Sequence, residues 1–139
     1  DIRQQLNDQL KCLEYRLDTE VAIVLEMEDF FKKISEIESE YGKNLERLVR
    51  QINTKHKTEK QKREHWPFFS MYTCWQNLLN ITKKQGHDHN TLSEICNNQM
   101  VSRLQDIVEN SQRIFKKCRE VGIESHEDIL KVLHELQNV

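Results

Sequence analysis

Residues 25–48 read LEMEDFFKKISEIESEYGKNLERL. Apolar side chains recur at Phe31, Ile34, Tyr41, Leu45 and Leu48, and Phe30 and Ile37 widen the same stripe. Steps of three and four residues are those of an amphipathic helix. Glu36, Glu38, Glu40, Lys43, Glu46 and Arg47 fall between and supply a solvated face. A helix with one apolar stripe cannot bury it alone, so this stretch predicts packing against other helices.

The pattern extends backwards through Val24, Val21, Leu17, Leu13, Leu10, Leu6 and Ile2, with Met27 supplying one missing rung. No proline interrupts it. Gly42 is the one local weakness, costing about 1 kcal/mol relative to alanine. Ile52 is the last clear rung, and a polar run, residues 54–65, follows. One helix over about residues 2–60 is expected, with a bend at about residues 61–69. Trp66-Pro67 places the break there at the latest, because the residue before proline avoids helical geometry. Phe68 and Phe69, with Trp66 beside the bend, read as plugs over the end of a bundle, the alternative being an exposed protein-contact or membrane-edge role.

A second long helix is expected over about residues 70–139, with Ser70 able to cap it. Trp75, Leu78 and Leu79 open its stripe. The rhythm lapses from Lys83 to Asn90 around Gly86, where a bend, a distortion or a wet patch is expected, and Thr91 with Glu94 makes a weak capping box. Leu92, Ile95, Met100, Leu104, Val108, Phe115, Cys118 and Val121 resume it. Residues 122–125 look locally like a turn before a last periodic run at Ile129, Val132, Leu133, Leu136 and Val139.

Composition agrees with long solvated helices. The 139 residues include only three glycines and one proline, with 37% hydrophobic and 32% charged residues. No apolar run approaches a membrane span, and Asp1-Ile2-Arg3 carries no apolar signal core. Cys12, Cys74, Cys96 and Cys118 are far apart. Without a CxxC pair they read as reduced cytoplasmic thiols rather than zinc ligands or a disulfide framework.

Catalytic readings find no support in motif or spacing. There is no Gly-rich phosphate loop, HExxH or GxSxG. Glu36 and Glu40 share a helix face, but a di-metal bundle also needs Glu-x-x-His pairs on facing helices. His87 and His89, two residues apart on a helix, diverge too far for easy chelation. No cofactor, metal or small-molecule substrate is expected, and the chain reads as non-catalytic.

Charge distribution says more than the net charge of −2. Between Lys43 and Arg63 stand Arg47, Arg50, Lys55, Lys57, Lys60 and Lys62, opposed only by Glu46 and Glu59. Lys83-Lys84 and Lys116-Lys117 add short pairs. Such clusters attract anionic lipid. Nucleic acid is disfavoured, since no recognition module or interleaved aromatics accompany the charges.

The run from the Phe30-Phe31 pair through Glu36-Ile37-Glu38 and Tyr41 to Asn44-Leu45-Glu46-Arg47-Leu48 resembles the first helix of the F-BAR (FCH) domain, and more narrowly the slit-robo Rho GTPase-activating family. NDQLKCL at residues 7–13, residues 74–79, His89-Asn90-Thr91-Leu92-Ser93, Arg113 to Lys117 and Glu120-Val121-Gly122 fit the same family. The resemblance implies an all-α antiparallel helical hairpin, the N-terminal portion of an elongated homodimeric bundle completed by later helices. It implies that the helix runs on through Gly86 and Gly122. It further implies a cytoplasmic scaffold, peripheral at the plasma membrane, that binds anionic phospholipids and is associated with cytoskeletal signalling and cell protrusion. The family's GTPase-activating and SH3 segments have no counterpart in these residues. Ile34, Ser35, Gly42, Val49 and Ile52 depart from the usual pattern, and Ile34 removes a charge, which weakens the case for lipid contact there.

Two readings therefore stand. One is a homodimerising membrane scaffold with Arg47, Arg50, Lys55, Lys57, Lys60, Lys62, Arg63, Lys83, Lys84, Lys116 and Lys117 as lipid contacts. The other is a purely structural dimerisation module whose charges are only solvated. Leu6, Leu10, Leu13, Leu17, Phe31, Ile34, Tyr41, Leu45, Leu48, Trp75, Leu78, Leu104 and Phe115 are the expected packing residues in both.

Overall fold

The computed structural model describes residues 2–138; Asp1 and the expected last rung, Val139, lie outside the described residues. The chain is all-α. Helix α1 spans Ile2–Thr58, α2 spans Ser70–Ile95 and α3 spans Ser102–Gln137. Two 3₁₀ turns, Gln61–Arg63 and Trp66–Phe68, join α1 to α2. A π-helical segment, Cys96–Val101, joins α2 to α3.

Two compact units divide the chain. The unit Phe30–Val101 pairs the second half of α1 with α2. Its contacts run antiparallel: Ser35 meets Ser93, Glu46 meets Asn90 and His56 meets Trp75. The other unit pairs α1, up to Asp29, with α3. It is antiparallel too, since Glu28 accepts from Gln105 at 2.9 Å and Arg119 lies 3.9 Å from Glu14.

In the Phe30–Val101 unit the seam of α1 is Phe31, Ser35, Glu38, Gly42, Leu45, Val49, Ile52 and His56, all buried or half-buried. The strict alternation of four and three residues is the heptad pattern of paired helices. On α2 the matching seam is Tyr72, Trp75, Leu79, Thr82, Gly86, His89, Ser93 and Cys96. Small residues let the backbones close. A Cβ on Gly42 would lie 2.7 Å from the Gly86 carbonyl, and one on Gly86 would lie 3.1 Å from the Gly42 carbonyl. The Ser35 hydroxyl donates to the Ser93 carbonyl at 3.0 Å, and Ser93 donates back to the Ser35 carbonyl at 2.7 Å. These crossed bonds satisfy hydroxyls that burial would otherwise penalise.

In the other unit Leu10, Leu17, Val21 and Val24 are half-buried and Glu28 is buried, beside Leu104, Val108, Ser111 and Phe115 of α3. Leu6 is also half-buried. Gly122 faces Leu10, with ordinary van der Waals room for a Cβ.

Both seams lie one residue along from several of the largest apolar side chains. Tyr41, Leu48 and Leu78 precede the buried Gly42, Val49 and Leu79, and these three, like Leu13, are about half exposed. Leu92, Ile95 and Met100 likewise precede the buried Ser93, Cys96 and Val101. One residue turns a helix by about 100°, so these side chains stand on the flank of the pair and not within it. Phe31, Ile34, Leu45, Trp75 and Phe115 are half-buried and Leu104 is buried.

The helix is continuous through Gly86 and through Gly122, as the family resemblance implies, while the local readings of a cap, a lapse and a turn are revised. Phe69, in extended geometry, precedes the first turn of α2, while Ser70 already belongs to the helix and makes no cap bond. Gly86 is buried inside an unbroken helix, and Thr91 lies mid-helix with its hydroxyl donating to the His87 carbonyl. Gly122 lies inside α3, where no turn forms. The irregularity falls instead at Cys96–Val101, where consecutive seam residues are five apart rather than four. One inserted residue is the signature of a π-bulge.

Candidate functional site

On α1, Glu46, Arg50, Asn53 and Lys57 follow one another by four, three and four residues and therefore share a flank. On α2, Lys83 and His87 are one turn apart. Pairing of the helices brings these residues together around a groove of about 540 Å³, floored by Val49 and edged by Thr54. The Thr54 hydroxyl is turned back onto the Arg50 carbonyl at 2.9 Å, leaving the groove to the cations. The arrangement offers Arg50, Lys57 and Lys83 to an anion from two helices at once. Glu46 does not compete freely with such an anion, because it accepts from the Asn90 amide at 2.9 Å.

Arg50, Lys57 and Lys83 are thus the expected basic residues that the fold gathers. Arg47 lines a different groove with Lys43, Glu36 and Glu40. Lys55 stands by an aromatic groove, and Lys60 by another with Glu64, Pro67 and Tyr72. Lys62 and Lys84 are exposed. Lys116 and Lys117 are exposed on α3, in the other unit. His87, a metal candidate by sequence, instead joins Lys83 on the groove, and its one-turn spacing from Lys83 is the signal for that. His89 points elsewhere, bonded to Glu38 and set edge-on to Tyr41, with ring centroids 4.6 Å apart. Among the described residues no three His, Cys, Asp or Glu converge as a metal site would require.

Arg63 is engaged by the protein itself. Its guanidinium pairs with Glu59, lies 2.8 Å from His56 Nδ1 and sits 4.3 Å above the Trp66 ring. Trp75 Nε1 lies 3.1 Å from the other ring nitrogen of His56. Both neighbours of His56 are donors only, so the ring sits neutral between them and accepts at whichever nitrogen its tautomer leaves bare. Burial, then the Arg63 charge, hold the His56 pKa below its ordinary 6.5. Glu59 is lowered chiefly by its hydrogen bond from Arg63.

This cluster backs a groove of about 630 Å³ lined by Ile52, Trp66, Phe69, Met71, Tyr72 and Trp75. The aromatics at the bend are not plugs. Phe68 is 81% exposed, Phe69 64% and Trp66 40%, and the following Met71 is 78% exposed. The reason is local: two 3₁₀ turns close the connection on its own backbone, and His56, Tyr72 and Trp75 fill the space beneath it.

Apolar flanks accompany the groove. Phe30, Ile37, Tyr41 and Leu48 on α1 are exposed, as are Leu78, Ile81, Leu92 and Ile95 on α2. In the other unit Ile23 and Met27 of α1 and Ile107, Ile114 and Val121 of α3 are exposed. No helix among the described residues is long and apolar enough to cross a membrane.

Residues 9–91 match the family model described as FCH, the Fes/CIP4 and EFC/F-BAR homology domain. The whole chain is similar, at 40% identity, to SLIT-ROBO Rho GTPase-activating protein 1 of Homo sapiens. It is 39% identical to SLIT-ROBO Rho GTPase-activating protein 2 of Danio rerio and, over 99% of its length, 31% identical to Rho GTPase-activating protein 4 of Homo sapiens. The chain spans 13% of the length of the first two relatives and 15% of the third. With a helical fold throughout and a family match over more than half its residues, the chain belongs to the FCH, or F-BAR, family.

Proposed function

We propose that this chain is part of a homodimerising, membrane-binding and curvature scaffold in a Rho GTPase-activating signalling protein, peripheral at the cytoplasmic face of the plasma membrane. It does no chemistry in these residues and takes no cofactor. The observation that carries the lipid reading is the convergence of Arg50, Lys57, Lys83 and His87 on one groove. Each basic side chain near an anionic surface contributes about 1 kcal/mol, so several acting together, and again in a second copy, give useful affinity. The apolar flanks support the assembly reading, because contiguous exposed apolar surface marks an interface.

Sedimentation with phosphatidylcholine vesicles, with and without phosphatidylserine, tests the lipid reading. Pelleting is expected only with the anionic lipid, falling with salt, and a triple Arg50→Glu, Lys57→Glu, Lys83→Glu variant is expected to lose it. A chain that dimerises yet ignores anionic vesicles at low salt is a structural dimerisation module. That reading is favoured by one observation, the mixed charge of another groove, where Glu36 and Glu40 stand with Lys43 and Arg47.

A further inference from the structure

The bend between α1 and α2 combines exposed apolar side chains with nearby cations. Its aromatic and thioether side chains are open to solvent: Phe68, Phe69 and Met71 are among the more exposed large apolar residues of the chain. Part of its backbone is paired internally. The amides of Phe68, Phe69 and Tyr72 donate to the carbonyls of His65, Trp66 and Phe69 at 3.0–3.1 Å, and Pro67 has no N–H to satisfy. Finally, cations stand on both sides of it. Lys60 lines a groove with Pro67, and Lys55 lines the groove that holds Phe69 and Met71.

Charge selects the occupant. Residues 55–64 carry Lys55, Lys57, Lys60, Lys62 and Arg63 against Glu59 and Glu64, and Glu59 is spoken for by Arg63. A second copy packed by a two-fold contact at this bend would set these lysines against themselves. An anionic bilayer surface meets both halves of the pattern. Its head groups answer the lysines, and its interfacial zone is where tryptophan, with one polar edge on an apolar body, is stably placed.

We propose that the Trp66–Met71 bend is an interfacial wedge: Phe68, Phe69 and Met71 enter the head-group and upper acyl region of an anionic bilayer, with Trp66 at their edge and Lys55 and Lys60 on the phosphates. This role rests on the membrane-contact reading above. It adds a salt-resistant, apolar component to contacts that would otherwise be purely electrostatic, and it gives the protein a fixed point of insertion.

The chain has two tryptophans, so a Trp75→Phe variant, checked for retained helicity, leaves Trp66 as the reporter. It is mixed with phosphatidylserine-containing vesicles whose acyl chains are brominated near the head group. The wedge predicts a blue-shifted Trp66 emission that the bromines quench. It also predicts a bound fraction that survives high salt and that Phe68→Ser with Met71→Ser weakens about tenfold or more. Both of those residues are too exposed for the change to unfold the helices. Vesicle binding that leaves Trp66 unquenched, with the double variant unaffected at high salt, overturns the wedge and leaves the electrostatic reading standing. Emission that shifts with protein concentration alone, without vesicles, assigns the bend to a protein contact and overturns the wedge as well. No binding at low salt removes both readings together.

Discussion

A methyl group on Gly42 would land on Asn90 Oδ1 and 2.7 Å from the Gly86 carbonyl, and the latter is backbone that cannot swing away. Gly42→Ala is therefore expected to destabilise the chain by about 1–3 kcal/mol through overpacking, outweighing the gain in helix propensity. Gly122→Ala is the opposite case. Its Cβ would meet Leu10 at 3.5 Å, an ordinary contact. That variant is expected to gain about 0.5–1 kcal/mol. Urea denaturation of the two variants side by side checks both signs. Gly42 was visible in the sequence only as a weak point in a helix, because the neighbour that makes glycine necessary is 44 residues away at Gly86.

His56 gives the residue-scale pH dependence. Its folded pKa lies below its ordinary 6.5, lowered by burial and by Arg63. The unfolded chain therefore takes up the proton first as pH falls. Stability is full above 6.5 and is lost as pH drops from there through the lowered folded value. Thermal unfolding over that range is expected to show a falling midpoint, and His56→Gln is expected to flatten the fall. Equal slopes in the two proteins would assign the effect to other groups.

At the scale of the element, the π segment decides the register. Cys96 and Val101 are both buried although five residues apart, so the extra residue is absorbed in the bulge. Deleting Asn98 shortens that step to the four of a regular heptad, and the variant is expected to fold with stability within about 1 kcal/mol of the parent. Deleting Asn97 and Asn98 together turns Val101 out of the seam and is expected to cost about 2 kcal/mol or more. Chemical denaturation distinguishes the two. The sequence showed the stripe resuming from Leu92 but not the bulge, because Leu92, Ile95 and Met100 are the larger apolar side chains, while Ser93, Cys96 and Val101 are small enough to sit where the backbones close.

At the scale of the molecule, two stripes must be told apart by consequence. Leu45 is a seam residue whose Cβ would lie 3.4 Å from a Cβ on Gly86, and Ile37 is exposed on the flank. Leu45→Asp is expected to lose helicity and cooperative unfolding. Ile37→Asp is expected to keep both and to weaken self-association more than tenfold, as measured by sedimentation equilibrium. If Ile37→Asp associates as the parent does, the flank is not the assembly surface.

The sequence by itself determined the helical class, the near-absence of breaks, the bend at Trp66-Pro67 and the family, because a helical period and a proline are local properties written in consecutive residues. Only the tertiary structure decided which side of each helix is the seam, why Gly42 and Gly86 are glycines, and which of the many basic residues share a groove. Those depend on how closely two backbones approach. That distance is set by small residues far apart in the chain, Ser35 with Ser93 and Gly42 with Gly86, to which no hydrophobic pattern points.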